Sequence, residues 1–259
     1  MSLIQTAERV SHVEASDNYV YQRSLFAYAE AAKLVGGQVL ELGTGSGYGI
    51  EMIASRAEKF VTLDKFENEN VAALIKAHHN IEFLKMTFPP LNGIADNSFD
   101  FVISFQVIEH IKNDTLFVKE IHRVLKPGGK LIVTTPNKKM SLTRNPWHIR
   151  EYLMPELKAL LLQDFSFVKT LGVYGDDTVM EYYHANKKAV KKITRFDFLK
   201  LQYRLPRWCL QVPYDIMNRW NRKKMLHSDN EMVAKIKMTD YFLSEAGNDC
   251  LDLFYIAEK

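Results

Sequence analysis

Short apolar runs alternate with longer amphipathic ones along most of this chain, and the two periods predict different elements. Dense apolar stretches predict strands at about 38–42, 59–64, 81–85, 99–105, 130–135, 165–173 and 250–258. Apolar positions recurring every three or four residues predict helices at about 18–34, 46–57, 66–79, 114–125 and 155–163. In the first helix Tyr21, Leu25, Tyr28, Ala29 and Ala32 set the period, and Gly36-Gly37 stops it. The run Phe99 to Phe105 is nearly all apolar, as a central parallel strand buried on both faces must be. Asp114 or Thr115 suits the cap of the helix that follows, and Lys126-Pro127-Gly128-Gly129 reads as the turn into strand five. Regular alternation of strand and helix signals an α/β fold with a mostly parallel sheet.

Two stretches depart from this rhythm. Residues 1 to 17 carry little pattern and are expected to form a loose arm. Residues 183–238 are helical in pattern, with Phe196, Phe198, Tyr203, Trp208, Tyr214 and Trp220 interleaved among basic residues. Pro206 and Pro213 are expected to divide this stretch into short helices. The chain therefore reads as a core over 1–174, a basic helical insertion or lid over 175–240, and a return to the core over 241–259.

The densest chemical signal is Glu41-Leu42-Gly43-Thr44-Gly45-Ser46-Gly47-Tyr48-Gly49, between strand one and its helix. Four glycines in seven residues let the backbone take positive φ and bring main-chain N–H groups against a ligand at a helix start. The third glycine of the dinucleotide pattern G-x-G-x-x-G is missing, and no Gly-Lys-Ser/Thr follows as in a P-loop. Twenty-one residues after Gly43, strand two ends in Asp64, placed to accept both hydroxyls of a ribose lying over the turn. A cofactor with a ribose and no pyrophosphate fits best.

Taken with Asp96-Asn97-Ser98-Phe99-Asp100, Val107-Ile108-Glu109-His110 and Arg123-Val124-Leu125-Lys126-Pro127-Gly128-Gly129, these motifs stand in one order over roughly residues 18 to 173. In that order they resemble the class I S-adenosylmethionine (SAM)-dependent methyltransferases. The resemblance implies a doubly wound seven-stranded sheet of order 3-2-1-4-5-7-6 with strand 7 antiparallel, and the helical insertion between strands 6 and 7. It implies SAM as cofactor, with S-adenosyl-L-homocysteine as product. By motif position, the implied cofactor-binding residues are Glu41, Gly43, Thr44, Gly45, Gly47, Asp64, Lys65, Met86, Thr87, Ser104, Phe105 and Gln106. Thr87 departs from the family, which commonly has an Asp there for the adenine amino group. A threonine hydroxyl offers a weaker contact, with Met86 to pack on the adenine face. In such enzymes the first helix lies over the cofactor, making Tyr19, Arg23 and Tyr28 candidates for polar contacts.

Methyl transfer from a sulfonium is an in-line displacement dominated by positioning, and a hydroxyl acceptor must also lose a proton. Histidine is the side chain suited to that near neutral pH. His110 and His148 fall at the carboxyl edge of the sheet and are the catalytic candidates, with Asn137 and Tyr152 as further acceptor-facing residues. The loop Asn145-Pro146-Trp147-His148 is similar to loops in bacterial methyltransferases that act on sugars or glycolipid precursors. A small-molecule or glycan hydroxyl is therefore the expected acceptor. A second resemblance is to enzymes that methylate the 3′-terminal ribose of small RNAs through a divalent metal. Gln106, Glu109, His110 and His148 stand at the corresponding positions, and a neutral glutamine in place of one carboxylate weakens a hard-cation site, so no metal is expected. A SAM-binding protein without turnover is the alternative outside the enzymes.

Composition adds limits. With 259 residues, 47% of them hydrophobic, the chain can bury a full core. Cys209 and Cys250 have no short spacing, so neither a disulfide framework nor a zinc site is expected. No run approaches the roughly 18 apolar residues of a membrane span, and a soluble, cytoplasmic protein is expected. The net charge of +3 is uneven: residues 184–238 hold fourteen Lys and Arg against four Asp and Glu. Such asymmetry points to an anionic partner or surface. An RNA surface, a lid for a phosphorylated sugar, an interfacial patch near a lipid-linked substrate and a small core under a solvated basic face all fit it, with nucleic acid ranked behind the small acceptor.

Overall fold

Strand-forming runs and amphipathic helices alternate in the computed structural model much as the pattern predicts. It describes residues 14–67, 69–195, 197, 201–228 and 230–259. The core elements are α1 (Asn18–Ala32), β1 (Gln38–Leu42), α2 (Ile50–Ala54), β2 (Lys59–Asp64), α3 (Glu69–Ala77), β3 (Ile81–Lys85), β4 (Phe99–Phe105), α4 (Asp114–Val124), β5 (Leu125–Pro136), α5 (Met154–Leu161) and β6 (Phe167–Gly175). The chain then runs through α6 (Asp177–Thr194), α7 (Leu201–Arg204), α8 (Arg207–Ser228) and α9 (Asn230–Lys235), and closes with β7 (Tyr241–Glu245) and β8 (Asp252–Glu258).

The sheet has eight strands in the order β3-β2-β1-β4-β5-β8-β6-β7. Strands β1 to β5 pair in parallel, and β8 runs antiparallel between β5 and β6. The expected order holds with one addition. The segment 241–259 was expected to carry one strand and carries two, because Tyr241–Glu245 hydrogen-bonds to the free edge of β6. That pairing satisfies an otherwise open edge.

Alternation along the strands sends Leu40, Leu42, Val102 and Leu131 to one face, where they meet Phe117, Val118 and Ile121 of α4 and Leu157 and Leu161 of α5. Val39, Ile103, Ile132 and Phe254 point to the other, under Phe26 and Ala31 of α1, Ile53 of α2 and Tyr182 of α6. Both faces are covered, as a parallel sheet requires.

Several predicted boundaries move for local reasons. The helix expected over 46–57 starts only at Ile50, since Gly47 holds a φ of 79° outside the helical region, and it ends at Ala54. The helix expected over 66–79 likewise contracts to α3. The cap of α4 is Asn113, whose Oδ1 accepts the Leu116 N–H at 3.0 Å, and not Asp114 or Thr115. The Lys126–Gly129 turn lies inside β5 as an irregularity in its pairing with β4, with Gly128 at φ 75°.

In the insertion, Pro206 separates α7 from α8 as expected, but Pro213 lies within α8. A proline one turn or more inside a helix removes a hydrogen bond without having to end the helix, and here α8 continues. Phe196 and Phe198 and residues 1–13 of the expected arm lie outside the described residues. The insertion is tied to the first helix: Asn18 Nδ2 donates to the carbonyls of Val233 and Ile236, at 2.7 and 2.9 Å. Arg222 pairs with Asp17 at 2.7 Å, and the Tyr19 and Tyr182 rings stack at 4.5 Å.

Candidate functional site

The glycine turn needs glycine for definite reasons. Gly43 sits at φ 96°, and a Cβ there would lie 2.5 Å from Val107 Cγ2. A Cβ on Gly49 would lie 2.3 Å from the Tyr28 ring. The turn is pinned to β2, since the Gly43 N–H donates to the Leu63 carbonyl at 2.9 Å and the Gly45 N–H to Asp64 Oδ2 at 3.0 Å. Asp64 Oδ1 accepts the Phe66 N–H, so the carboxylate is held at the strand tip beside the turn. This cradle of positive-φ glycines with a carboxylate at its edge fits a ribose-bearing cofactor without pyrophosphate.

Glu41 is wholly buried under the turn. Its carboxyl accepts from Tyr28 Oη and from Thr62 Oγ1, each at 2.5 Å, and Thr62 lies 2.6 Å from Thr44 Oγ1. Burial pushes the Glu41 carboxyl up to about 7, against the pull of the Thr62 and Tyr28 hydroxyls. Glu41 and Thr44 thus brace the turn from below. Of the other implied cofactor residues, Lys65 is exposed with its amine 5.1 Å from the Phe66 ring, Thr87 is exposed, and Met86 packs on the core while its N–H donates to the Asp64 carbonyl. Ser104 is fully buried, and Phe105 meets Tyr28 edge-on at 4.9 Å. Gln106 takes φ 56° and reaches Thr134 Oγ1 at 3.4 Å.

Beyond β4, the segment Val107 to His110 leads away from the turn that Val107 touches. His110 Nδ1 lies 3.1 Å from the Trp147 carbonyl, and a carbonyl can only accept, so Nδ1 carries the proton. His148 Nδ1 lies 2.8 Å from Glu151 Oε1, and its Nε2 lies 2.9 Å from the Asn145 amide nitrogen. The carboxylate fixes the tautomer with Nδ1–H, leaving the Nε2 lone pair to accept. The two imidazoles meet edge to face at 5.0 Å. Glu109 is buried and accepts from Thr135 Oγ1 at 3.0 Å. One ligand atom each from Glu109, His110 and His148 lies within 4.8 Å of the others, an arrangement able to hold a divalent cation. Gln106 turns instead to Thr134 and Asp252, so of the four positions compared with the metal-dependent enzymes only these three converge, although no metal was expected from the sequence.

His148 also lines a cavity of about 580 Å³ between the sheet's carboxyl edge and the insertion. Its walls come from Tyr19 and Arg23 of α1, the loop after β5, helices α6 to α8, and Leu251 and Asp252 at the start of β8. Much of the exposed lining surface is apolar, from side chains such as Met140, Leu142, Ile193 and Leu210, while Asn186, Arg144, Asp197 and Arg222 add polar and charged points. Arg23 pairs with the buried Asp252 at 3.0 Å on the cavity wall. Burial raises the Asp252 carboxyl while Arg23 draws it back.

The acceptor-facing expectations divide. Asn137 stands in the cavity wall, but its amide is buried and spent on the Cys250 carbonyl and the Lys139 N–H; Tyr152 is not in the wall at all, and its hydroxyl donates to Asp114 at 2.7 Å beside Arg150. The expectation rested on its loop leaving the sheet's carboxyl edge, and leaving that edge does not fix which way a side chain points. Of the first-helix candidates, Tyr19 and Arg23 reach the cavity while Tyr28 is spent on Glu41. Glu151 and Asp252 were missed. Glu151 stands three residues after His148, a visible spacing that carries no weight in a loop, and nothing local marks Asp252.

A family model described as a methyltransferase domain matches residues 40–133. The chain is 36% identical over 176 residues to a Mycolicibacterium smegmatis protein named as a probable S-adenosylmethionine-dependent methyltransferase, covering 65% of this chain and 68% of that one. It is 29% identical over 133 residues to the ubiquinone biosynthesis O-methyltransferase of Rickettsia typhi, covering 50% of this chain and 51% of that one. The fold is similar to a solved SAM-dependent methyltransferase from Thermotoga maritima, with TM-score 0.54, 16% identity, and 93% and 92% of the two chains covered.

Proposed function

The chain belongs to the class I SAM-dependent methyltransferases, and from that premise we propose that it transfers a methyl group to a hydroxyl on a small metabolite, saccharide or glycolipid precursor bound under the insertion. The observation that carries this reading is the cavity that meets His148. Its size is that of a small-molecule site, and walls that mix apolar surface with polar and charged groups suit an amphipathic acceptor. A ubiquinone biosynthesis O-methyltransferase among the relatives is in keeping with such an acceptor.

SAM supplies the methyl group, and the residues that would hold it are those of the glycine turn and Asp64. On the acceptor side, the hydroxyl takes the place of the Asn145 amide at His148 Nε2. His148 accepts the proton there, and Glu151 stabilises the resulting imidazolium through Nδ1–H. The Arg23–Asp252 pair offers fixed charged groups on the cavity wall to orient the acceptor. An RNA terminus needs an open basic approach, whereas a chamber of about 580 Å³ with carboxylates among its wall residues favours the small acceptor.

The test is transfer of isotope-labelled methyl from SAM into fractionated metabolite and lipid pools, with the methylated atom identified. Label on an ether oxygen is expected, and His148→Ala lowers turnover by about a hundredfold or more. Label on nitrogen or carbon, or turnover within about twofold of wild type in the variant, overturns the reading. A second reading is favoured by the Glu109, His110 and His148 cluster: a divalent cation held there would acidify the hydroxyl. Loss of activity on chelation, restored by manganese or zinc, selects it.

A further inference from the structure

Helix α8 turns one mixed face to the cavity and an apolar face away from it. Leu210, Tyr214, Asn218 and Asn221 look into the cavity side, and Met225 is buried beneath them. On a helix of 3.6 residues per turn, Trp208, Val212, Ile216 and Trp220 wind along the far side. These four are 74%, 66%, 64% and 56% exposed. Such an apolar stripe on a water-facing helix is unusual enough to mark a contact surface.

We infer that this outward face of α8 docks on an anionic lipid bilayer and sets the mouth of the cavity at the membrane surface. Charge complementarity selects the occupant. Arg219 and Lys223 share the face with the stripe, Lys224 stacks its amine 5.0 Å from the Trp220 ring, and residues 184–238 carry a net +10. Among the described residues no carboxylate pairs with Arg219 or Lys223. A protein-binding core is depleted in lysine, whereas an interfacial helix places Trp and aliphatic residues beside Lys and Arg. The two tryptophans are twelve residues, or about 18 Å, apart, with valine and isoleucine between them. Aliphatic side chains at the centre of the stripe suit acyl chains and offer nothing to a phosphate or a nucleobase.

The cavity lies close to this surface, although the stripe residues themselves are not in its wall. Met217 of α8 and Leu201 of α7 line the cavity and are also exposed, so its mouth opens beside the stripe. A helix seated in the headgroup region would let an amphipathic molecule pass from the bilayer to the chamber without crossing water. The inference needs the surface alone and stands or falls independently of which acceptor is methylated.

The experiment is co-sedimentation of the full chain with vesicles of phosphatidylcholine alone or with roughly one-third phosphatidylglycerol. Binding to the anionic vesicles is expected, weakening as salt rises. The double variant Trp208→Ala/Trp220→Ala should bind on the order of tenfold less tightly while binding SAM as wild type does. Lys223→Glu/Lys224→Glu should lose the preference for anionic lipid, with SAM binding again retained. Equal or absent binding to both vesicles overturns the inference. So does retention on single-stranded RNA that the Trp208→Ala/Trp220→Ala variant leaves unchanged, or a dimer in light scattering that Ile216→Glu dissolves, which would make a second copy the occupant.

Discussion

Glu41 makes the glycine turn sensitive to pH. Its carboxyl is buried, and its value rises from the ordinary 4.5 to about 7 because burial penalises the charged form more than the Thr62 and Tyr28 hydroxyls favour it. In the unfolded chain the same group loses its proton near 4.5. Between those values the folded chain holds the extra proton, so stability falls as pH rises. The contribution is fully present below about 4.5 and is lost as pH rises through about 7. At about 1.36 kcal/mol for each factor of ten in the ionisation constant, the loss amounts to roughly 3 kcal/mol.

Asp252 is also raised by burial and adds to the same trend, so the comparison must isolate Glu41. Glu41→Gln removes the charge and keeps a carbonyl for the Tyr28 hydroxyl. Urea unfolding across a pH series then gives the stability of each form. The variant should gain roughly 3 kcal/mol on wild type between about pH 5 and pH 8. Tyr28→Phe, which removes one donor to the carboxylate, should move the wild-type midpoint upward. A stability difference between Glu41→Gln and wild type that is the same at both ends of the range would refute the reasoning.

Other expectations follow from the same geometry. Gly43→Ala places a Cβ against Val107 at φ 96°, and should abolish SAM binding by calorimetry while destabilising by about 1–3 kcal/mol. Arg23→Met leaves Asp252 buried without its partner and should destabilise by about 3–5 kcal/mol in urea melts. The double change Arg23→Met/Asp252→Asn should recover most of that loss. Asn113→Ala removes the cap of α4 and should lower stability by about 1 kcal/mol, with SAM affinity unchanged.

Local pattern determined the backbone of this protein. The period of apolar residues placed seven of the eight strands, and the crowded glycines with Asp64 twenty-one residues on marked the candidate cofactor turn, because a strand, a tight turn and a helix start are each specified within about ten residues. Even the missing pyrophosphate could be read, since the absent glycine and lysine are local too. The sequence also supplied His110 and His148, but not what each nitrogen faces.

Tertiary structure decided the rest. Glu41 became a buried brace because Tyr28, thirteen residues earlier, and Thr62, twenty-one residues later, converge on it. Tyr152 turned into the core, Glu151 came to orient His148, and Asp252 met Arg23 from the far end of the chain. Pro213 stayed inside a helix that local rules would have broken. Side-chain direction and pairing across hundreds of residues depend on which surfaces the packed sheet and insertion leave open, and no short window of sequence contains that information.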